Sequence, residues 1–168
     1  MPQKQRPTGK LANQMNTNYN LFTQNISEVQ ISYRNKVKAC DRPKITSSHA
    51  SYEIFAAIWD DNIDHVESFY VMCLNRANAL LAVNHIATGG TTGTIADPKV
   101  IFQTALKTNA SSIIISHNHP SGNLKPSEMD VKLTRKLKSA GEFLDITVLD
   151  HLILTSDTYY SFADEANM

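Results

Sequence analysis

A mixed α/β fold, with one central sheet and helices over both of its faces, is the class this sequence predicts. Three observations carry it. The apolar runs SFYVMCL and ALLAVNHIATG flank the stretch Asn75 to Asn78 and have the form of an antiparallel hairpin. In the first run Phe69, Val71 and Cys73 fall on one face and Tyr70, Met72 and Leu74 on the other, so both faces are apolar and both need cover. Helical patterns alternate with the remaining strand-like runs and supply that cover, in a chain of 168 residues that suffices for one substantial core.

Taken in order, residues 1–20 show neither helical nor strand periodicity and are rich in polar groups. Residues 21–44 add Phe22, Ile26, Val29, Ile31 and Val37, and the run NISEVQISYRN has the makings of an edge strand formed with a partner or another subunit. Residues 1–44 are therefore read as a basic, partly flexible N-terminal arm and residues 45–168 as the folded domain. Ser47 or Ser48 is placed to cap a first helix over HASYEIFAAIWDDN, in which Tyr52, Phe55, Ile58 and Trp59 form an apolar stripe of core residues. Asp60, Asp61 and Asn62 end it. The hairpin follows, opened by Glu67. Gly89 to Thr94 is glycine-rich but has neither GxGxxG spacing nor a GK[ST] ending, so it reads as a bent surface segment and not as a phosphate cradle.

Asp97-Pro98 supplies an N-cap and first-turn proline for a helix to about Lys107, with Val100, Ile101, Ala105 and Leu106 for burial. Ala110 to Ser116 is the next strand. A helix capped by Ser127 runs to about Ala140, presents Val131, Leu133, Leu137 and Ala140, and has Gly141 at its stop. Phe143 to Leu149 and His151 to Thr155 read as strand segments bent at Asp150, and Tyr160 to Phe162 as a short terminal strand.

The zero formal charge conceals an asymmetry. Residues 1–44 hold eight Lys/Arg against Glu28 and Asp41, a net +6, and residues 45–168 hold eight bases against fourteen acids, a net −6. Such an arm is able to contact nucleic acid or an acidic partner, and equally to pack on its own acidic domain. Cys40 and Cys73 form no CxxC or regular framework, which fits isolated thiols in a reducing compartment. No run approaches the roughly 18 apolar residues of a membrane span, and the first residues lack a basic segment leading into an apolar signal core. A cytoplasmic location without membrane contact is the expectation, and the edge strand in the arm leaves room for a homodimer.

The chemistry concentrates in IIISHNHPSGNLKPSEMD, residues 113–130. If the strand continues through His117 and His119, its period of two points both imidazoles to one face. Pro120, Gly122 and Pro126 then turn the chain, and Ser127 with Asp130 has the S-x-x-D form of a reciprocal helix cap. A carboxylate in that first turn is able to face the strand end. Two imidazoles and one carboxylate fill three positions around Zn2+ and leave the fourth open, the form of a catalytic site. A hydrolytic site also needs a proton acceptor, for which spacing alone sets Glu67 only slightly above Glu53 or Glu128. Asn118 alternates away from the histidines and is read as a loop anchor; Asp150 and His151 are read as hydrogen-bonding groups near the site, and His85 as an ordinary strand residue.

HNHPSGNLKPSEMD matches the H-x-H-P-x6-S-x-x-D signature of JAB/JAMM (MPN) metalloproteases. The chain resembles their RadC-type branch most, through LNRANALL, GTTGTIADP, SHNHPSGNLKPSEMD, TRKLKSAGEFLDITVLDHLIL and YYSF, over roughly residues 45–165. The resemblance implies a three-layer, cytidine-deaminase-like α/β/α fold with zinc held by His117, His119 and Asp130. It implies Glu67 as the base and Ser127 as the group that polarises the substrate carbonyl or stabilises its tetrahedral intermediate, although helix capping alone is the simpler job for that serine. The implied reaction is cleavage of a peptide or isopeptide bond in an unknown protein substrate by metal-activated water. RadC-type chains carry a helix-hairpin-helix DNA-binding region ahead of the metal domain, and residues 1–44 are too short for it and lack its glycine hairpins. A DNA-repair-associated or protein-interaction module that uses the fold without proteolysis is the alternative.

Overall fold

The computed structural model describes residues 30–34, 36–59, 63–89 and 96–168. Most of NISEVQISYRN and of the glycine-rich segment lies outside these residues, and residues 30–34 form no strand. The unit from Tyr33 onward begins with a 3-10 turn at Ala39–Asp41, after which Ile45 N–H donates to Asn78 O and Leu80 N–H to Pro43 O. Helix α1 spans Ser48–Ile58, and Ser47 is its cap, accepting from Ala50 N–H at 3.1 Å. Ser48 instead meets Tyr159 and Asp164. The hairpin is β1, Ser68–Leu74, with β2, Leu80–Thr88. Helix α2, Pro98–Lys107, is capped by Asp97, and strand β3 is Ser112–Asn118. Helix α3, Glu128–Phe143, leads into β4, Thr147–Leu154, and β5, Tyr159–Ser161.

The strands form one mixed sheet in the order β2-β1-β3-β4-β5, parallel only between β3 and β4. Strands β1 and β3 are buried along their whole length, as central strands covered on both faces must be. The alternation in β1 is the one its residues predict. Phe69, Val71 and Cys73 pack with Ile113, Ile115, α2 residues Ile101, Phe102 and Ala105, and Leu137 of α3. Tyr70, Met72 and Leu74 pack with Ile114, Leu152, Leu154 and Phe55 of α1. Each fully buried large apolar side chain contributes roughly 1.5–3 kcal/mol, and two such clusters fix the three layers, α1 on one side and α2 with α3 on the other.

Four expectations need correction. Ile58, Val100 and Leu106 are exposed, because the α1 stripe runs through Ser51 and Phe55 and α2 buries Phe102 beside Ile101 and Ala105. Gly141 does not stop α3. It lies inside the helix, where an added Cβ would come within 2.3 Å of the Ile146 carbonyl oxygen, so the missing side chain permits a close crossing. Phe143 is the last residue of that helix and 90% exposed. The bend expected at Asp150 is a bulge at Leu149 inside one continuous strand: Ile113 pairs with Val148, but Ile114 pairs with Asp150. That extra residue exchanges the faces of everything after it. His151, opposite Ile115, thereby joins the face that carries His117.

Candidate metal centre

The end of β3 sets the first two groups. His117 is the penultimate strand residue and His119 follows the last, its N–H still bonded to Leu154 O at 2.9 Å. The strand geometry therefore continues through both, and their Nε2 atoms approach to 3.0 Å. Asp130 arrives from α3 through a full capping box, in which Ser127 Oγ accepts from Asp130 N–H at 3.2 Å and Asp130 Oδ2 accepts from Ser127 N–H at 2.7 Å. This holds its oxygens 3.3 Å from His117 Nε2 and 3.7 Å from His119 Nε2. Metal–ligand bonds of about 2.0–2.1 Å in a tetrahedron imply ligand atoms about 3.3 Å apart. The 3.0 Å between the two nitrogens and the 3.3 Å from His117 Nε2 to Asp130 Oδ1 lie close to that edge, and the other carboxylate oxygen, Oδ2, is 3.7 Å from His119 Nε2, so two imidazoles and a carboxylate form a donor set of the kind zinc takes. Among the described residues this is the one cluster of three or more such groups converging within 4.8 Å.

Glu67 lies one residue ahead of β1. Phe69 pairs with His117 in the antiparallel β1–β3 ladder, and Glu67 is two residues before Phe69 as His119 is two residues after His117. Asn118, on the other face, secures this approach: its carbonyl accepts from Ser68 N–H at 2.7 Å and its amide donates to Ile63 O and Val66 O. The loop-anchoring role expected of Asn118 is the one it has. Glu67 also acts on the site electrostatically, since its charge is one of the causes that raise His119.

The titration behaviour follows from burial and pairing. Burial pushes His117 down to about 4, against the opposing charge of Asp130. The Asp130 carboxylate beside it raises His119, outweighing burial, and the Asn123 carbonyl adds to it. Burial pushes the Asp130 carboxyl up, but the neighbouring His119, the charge of His117 and the bonds with Ser127 hold it well below the usual carboxylate range. His119 Nδ1 faces Asn123 O, a pure acceptor, which places the proton on Nδ1 and leaves Nε2 to bind a metal.

His151 and Thr134 complete the arrangement. His151 is fully buried and bonded to His117 Nδ1 at 2.8 Å, and Thr134 Oγ1 lies 2.6 Å from its other nitrogen. The expectation of a hydrogen-bonding role for His151 thus has its partner. Thr134 was not anticipated. Its one signal in the sequence is a hydroxyl on the buried side of α3, with Leu137 and Gly141 three and seven residues on. Asp150 takes no part here: it accepts from Ser161 Oγ, His151 N–H and Ala163 N–H, which pins the β4–β5 connection.

Among the described residues no helix is long and apolar enough to cross a membrane. Curated relatives share much of the sequence. A UPF0758 protein of Flavobacterium johnsoniae is 44% identical over 122 residues, 73% of this chain and 52% of its own length. One of Thermosynechococcus vestitus is 46% identical over 98 residues, 58% and 39% of the two chains, and one of Porphyromonas gingivalis 37% identical over 125 residues, 74% and 54%. The chain spans about half the length of these relatives or less. The family model for the RadC-like JAB domain matches residues 45–168, the stretch that holds the whole sheet and every group of the His117–His119–Asp130 cluster, and by that match the chain belongs to the RadC-like JAB family.

Proposed function

We propose that this chain is a zinc-dependent hydrolase that cleaves a peptide or isopeptide bond in a protein or peptide substrate. The observation that carries this reading is the convergence of ligand atoms of His117, His119 and Asp130 within 4.8 Å of one another, with Glu67 one residue ahead of β1, the strand whose Phe69 pairs with His117. When bound, zinc supplies Lewis acidity, drawing electrons from an amide carbonyl and making water a stronger acid. The chain's own residues do the rest. Glu67 takes the proton of the attacking water and returns it to the departing amine, so the C–O bond that forms and the C–N bond that breaks are balanced by one proton shuttled through one carboxylate. Ser127 Oγ accepts from Asp130 N–H and still carries a proton, which it donates to the developing oxyanion. Half-buried Asp130, its carboxyl held well below the usual carboxylate range by its neighbours, keeps a negative charge in the cluster.

The test compares zinc-loaded wild type with Glu67→Gln on a panel of peptide and isopeptide substrates. Loss of the base is expected to lower turnover about 10²- to 10⁴-fold, with zinc content kept. Equal turnover by the two proteins removes Glu67 from the mechanism, and a wild type that binds zinc yet cleaves none of the panel removes the hydrolase reading.

A further inference from the structure

Behind the three converging atoms a run of buried polar groups leads away from the centre and returns to it. His117 Nδ1 meets His151 Nε2 at 2.8 Å, His151 Nδ1 meets Thr134 Oγ1 at 2.6 Å, and Thr134 Oγ1 meets the backbone carbonyl of Asp130 at 2.7 Å. The far end dictates every proton in this run. A carbonyl oxygen only accepts, so the single hydroxyl proton of Thr134 goes to Asp130 O, and toward His151 the hydroxyl must accept. His151 therefore carries its proton on Nδ1 and a lone pair on Nε2. That lone pair obliges His117 to donate from Nδ1, which leaves its Nε2 bare on the side facing His119 and Asp130. Reversing the run sets the Thr134 oxygen lone pair against the Asp130 carbonyl oxygen.

We propose that His151 and Thr134 are positioning residues that lock His117 in its Nδ1–H tautomer, so that Nε2 is ready for a metal before the metal arrives. The surroundings are built for this. Thr134 and His151 are both 0% exposed, leaving no water to replace either partner. Phe162 stacks on His151 with ring centroids 4.7 Å apart and a 12° tilt, and the Phe69 ring lies parallel to that of His117 within 7°. The bulge at Leu149 places His151, and not Asp150, on this face of the sheet. A hydroxyl on the buried stripe of α3 is costly without partners, and here it has two.

The proposal rests on the zinc reading above for its metal, and on nothing else in it. In the full chain, Thr134→Val, close in shape, is expected to weaken zinc binding about 10- to 100-fold in chelator competition. Thr134→Ser, which keeps the hydroxyl, stays within about threefold of wild type on the same ground. Nitrogen-15 imidazole spectra of the metal-free proteins are expected to show His117 protonated on Nδ1 in wild type and Thr134→Ser, and a mixture of tautomers in Thr134→Val. An unchanged tautomer, or an unchanged zinc affinity, in Thr134→Val overturns the proposal. Wild type that binds zinc without cleaving anything discards the hydrolase reading and leaves the relay standing; wild type that takes up no zinc discards the metal reading, and the spectra of the metal-free chain then decide the relay alone.

Discussion

Where β3 finishes, two imidazoles, a carboxylate and a buried histidine–threonine relay converge; where β3 begins, the molecule has an open groove and, among the described residues, no such convergence. That second end is an open groove of about 570 Å3 lined by residues that include Asn75, Arg76, Asn109, Asp145 and Thr147. Three of its polar side chains are explained by turn chemistry. Asn78, Asn109 and Asp145 have φ of 56, 53 and 55°, in the left-handed region that Asn and Asp tolerate, and they sit in the β1–β2 turn and just past the ends of α2 and α3. The difference teaches that a hollow by itself does not locate chemistry in this fold. What marks the site is polar atoms withdrawn from water and aimed at one point.

The largest expected effect breaks the first end alone. Asp130→Asn keeps a side-chain oxygen for the Ser127 N–H, and hence the capping box, while removing the charge a metal requires. Zinc at about 1,000 times its dissociation constant stabilises wild type by about 4 kcal/mol, and this zinc-dependent gain in melting temperature is expected to vanish in Asp130→Asn. A gain of wild-type size in the variant would show that the carboxylate is not a ligand. Proton competition comes next. The folded value of His117 is depressed to about 4 from an ordinary 6.5, so the stability it contributes is present above 6.5 and lost as pH falls through 4. That depression corresponds to a loss on the order of 3 kcal/mol. His119 has the opposite sign: its folded value is raised, so its contribution is present below 6.5 and lost as pH rises through that raised value. The melting temperature of the metal-free chain is thus expected to fall on either side of a maximum, with His117→Gln flattening the acid side.

Much of the first end was legible because local rules and tertiary structure agree there. H-x-H on a strand forces two imidazoles to one face, and S-x-x-D forces a capping box that aims Asp130. The resemblance supplied Glu67, which spacing alone barely separated from Glu53 and Glu128; that the strand after it pairs with β3 is a matter of the β1–β3 register, which no local pattern reveals. The relay was out of reach for the same reason. His151 faces His117 only because of a one-residue bulge in β4, visible in the sequence merely as a bend near Asp150. Gly141 was misread because a glycine near a helix end ordinarily stops it, whereas here the Ile146 carbonyl crosses the helix at that point. Ile58 and Leu106 fit a helical stripe but face solvent, since periodicity gives a stripe's spacing and not which neighbour covers it.

At the second end, Gly141→Ala is expected to destabilise the chain by about 2–3 kcal/mol through overpacking, because the added Cβ meets backbone that cannot rotate aside. Urea melts measure it. Zinc affinity, read by the same chelator competition as for the relay, should not move, and a parallel loss of affinity would mean that the two ends are coupled through α3.

Asn109→Ala is the smallest and sharpest probe of that independence. Alanine in the left-handed region costs about 1 kcal/mol, and Asn109, just before β3, lies at the opposite end of that seven-residue strand from His119. A strand of this length spans roughly 20 Å, far beyond the distance over which packed side chains usually fail to add. Thr134→Val, by contrast, leaves the His151 Nδ1–H without an acceptor, at a cost of about 1–3 kcal/mol. In the double variant the two losses are expected to sum within about 0.5 kcal/mol, with zinc affinity equal to that of Thr134→Val alone. A larger departure from additivity would show that strain at the groove is transmitted along β3 to the imidazoles, and the metal centre would then depend on turn residues that contribute no atom to it.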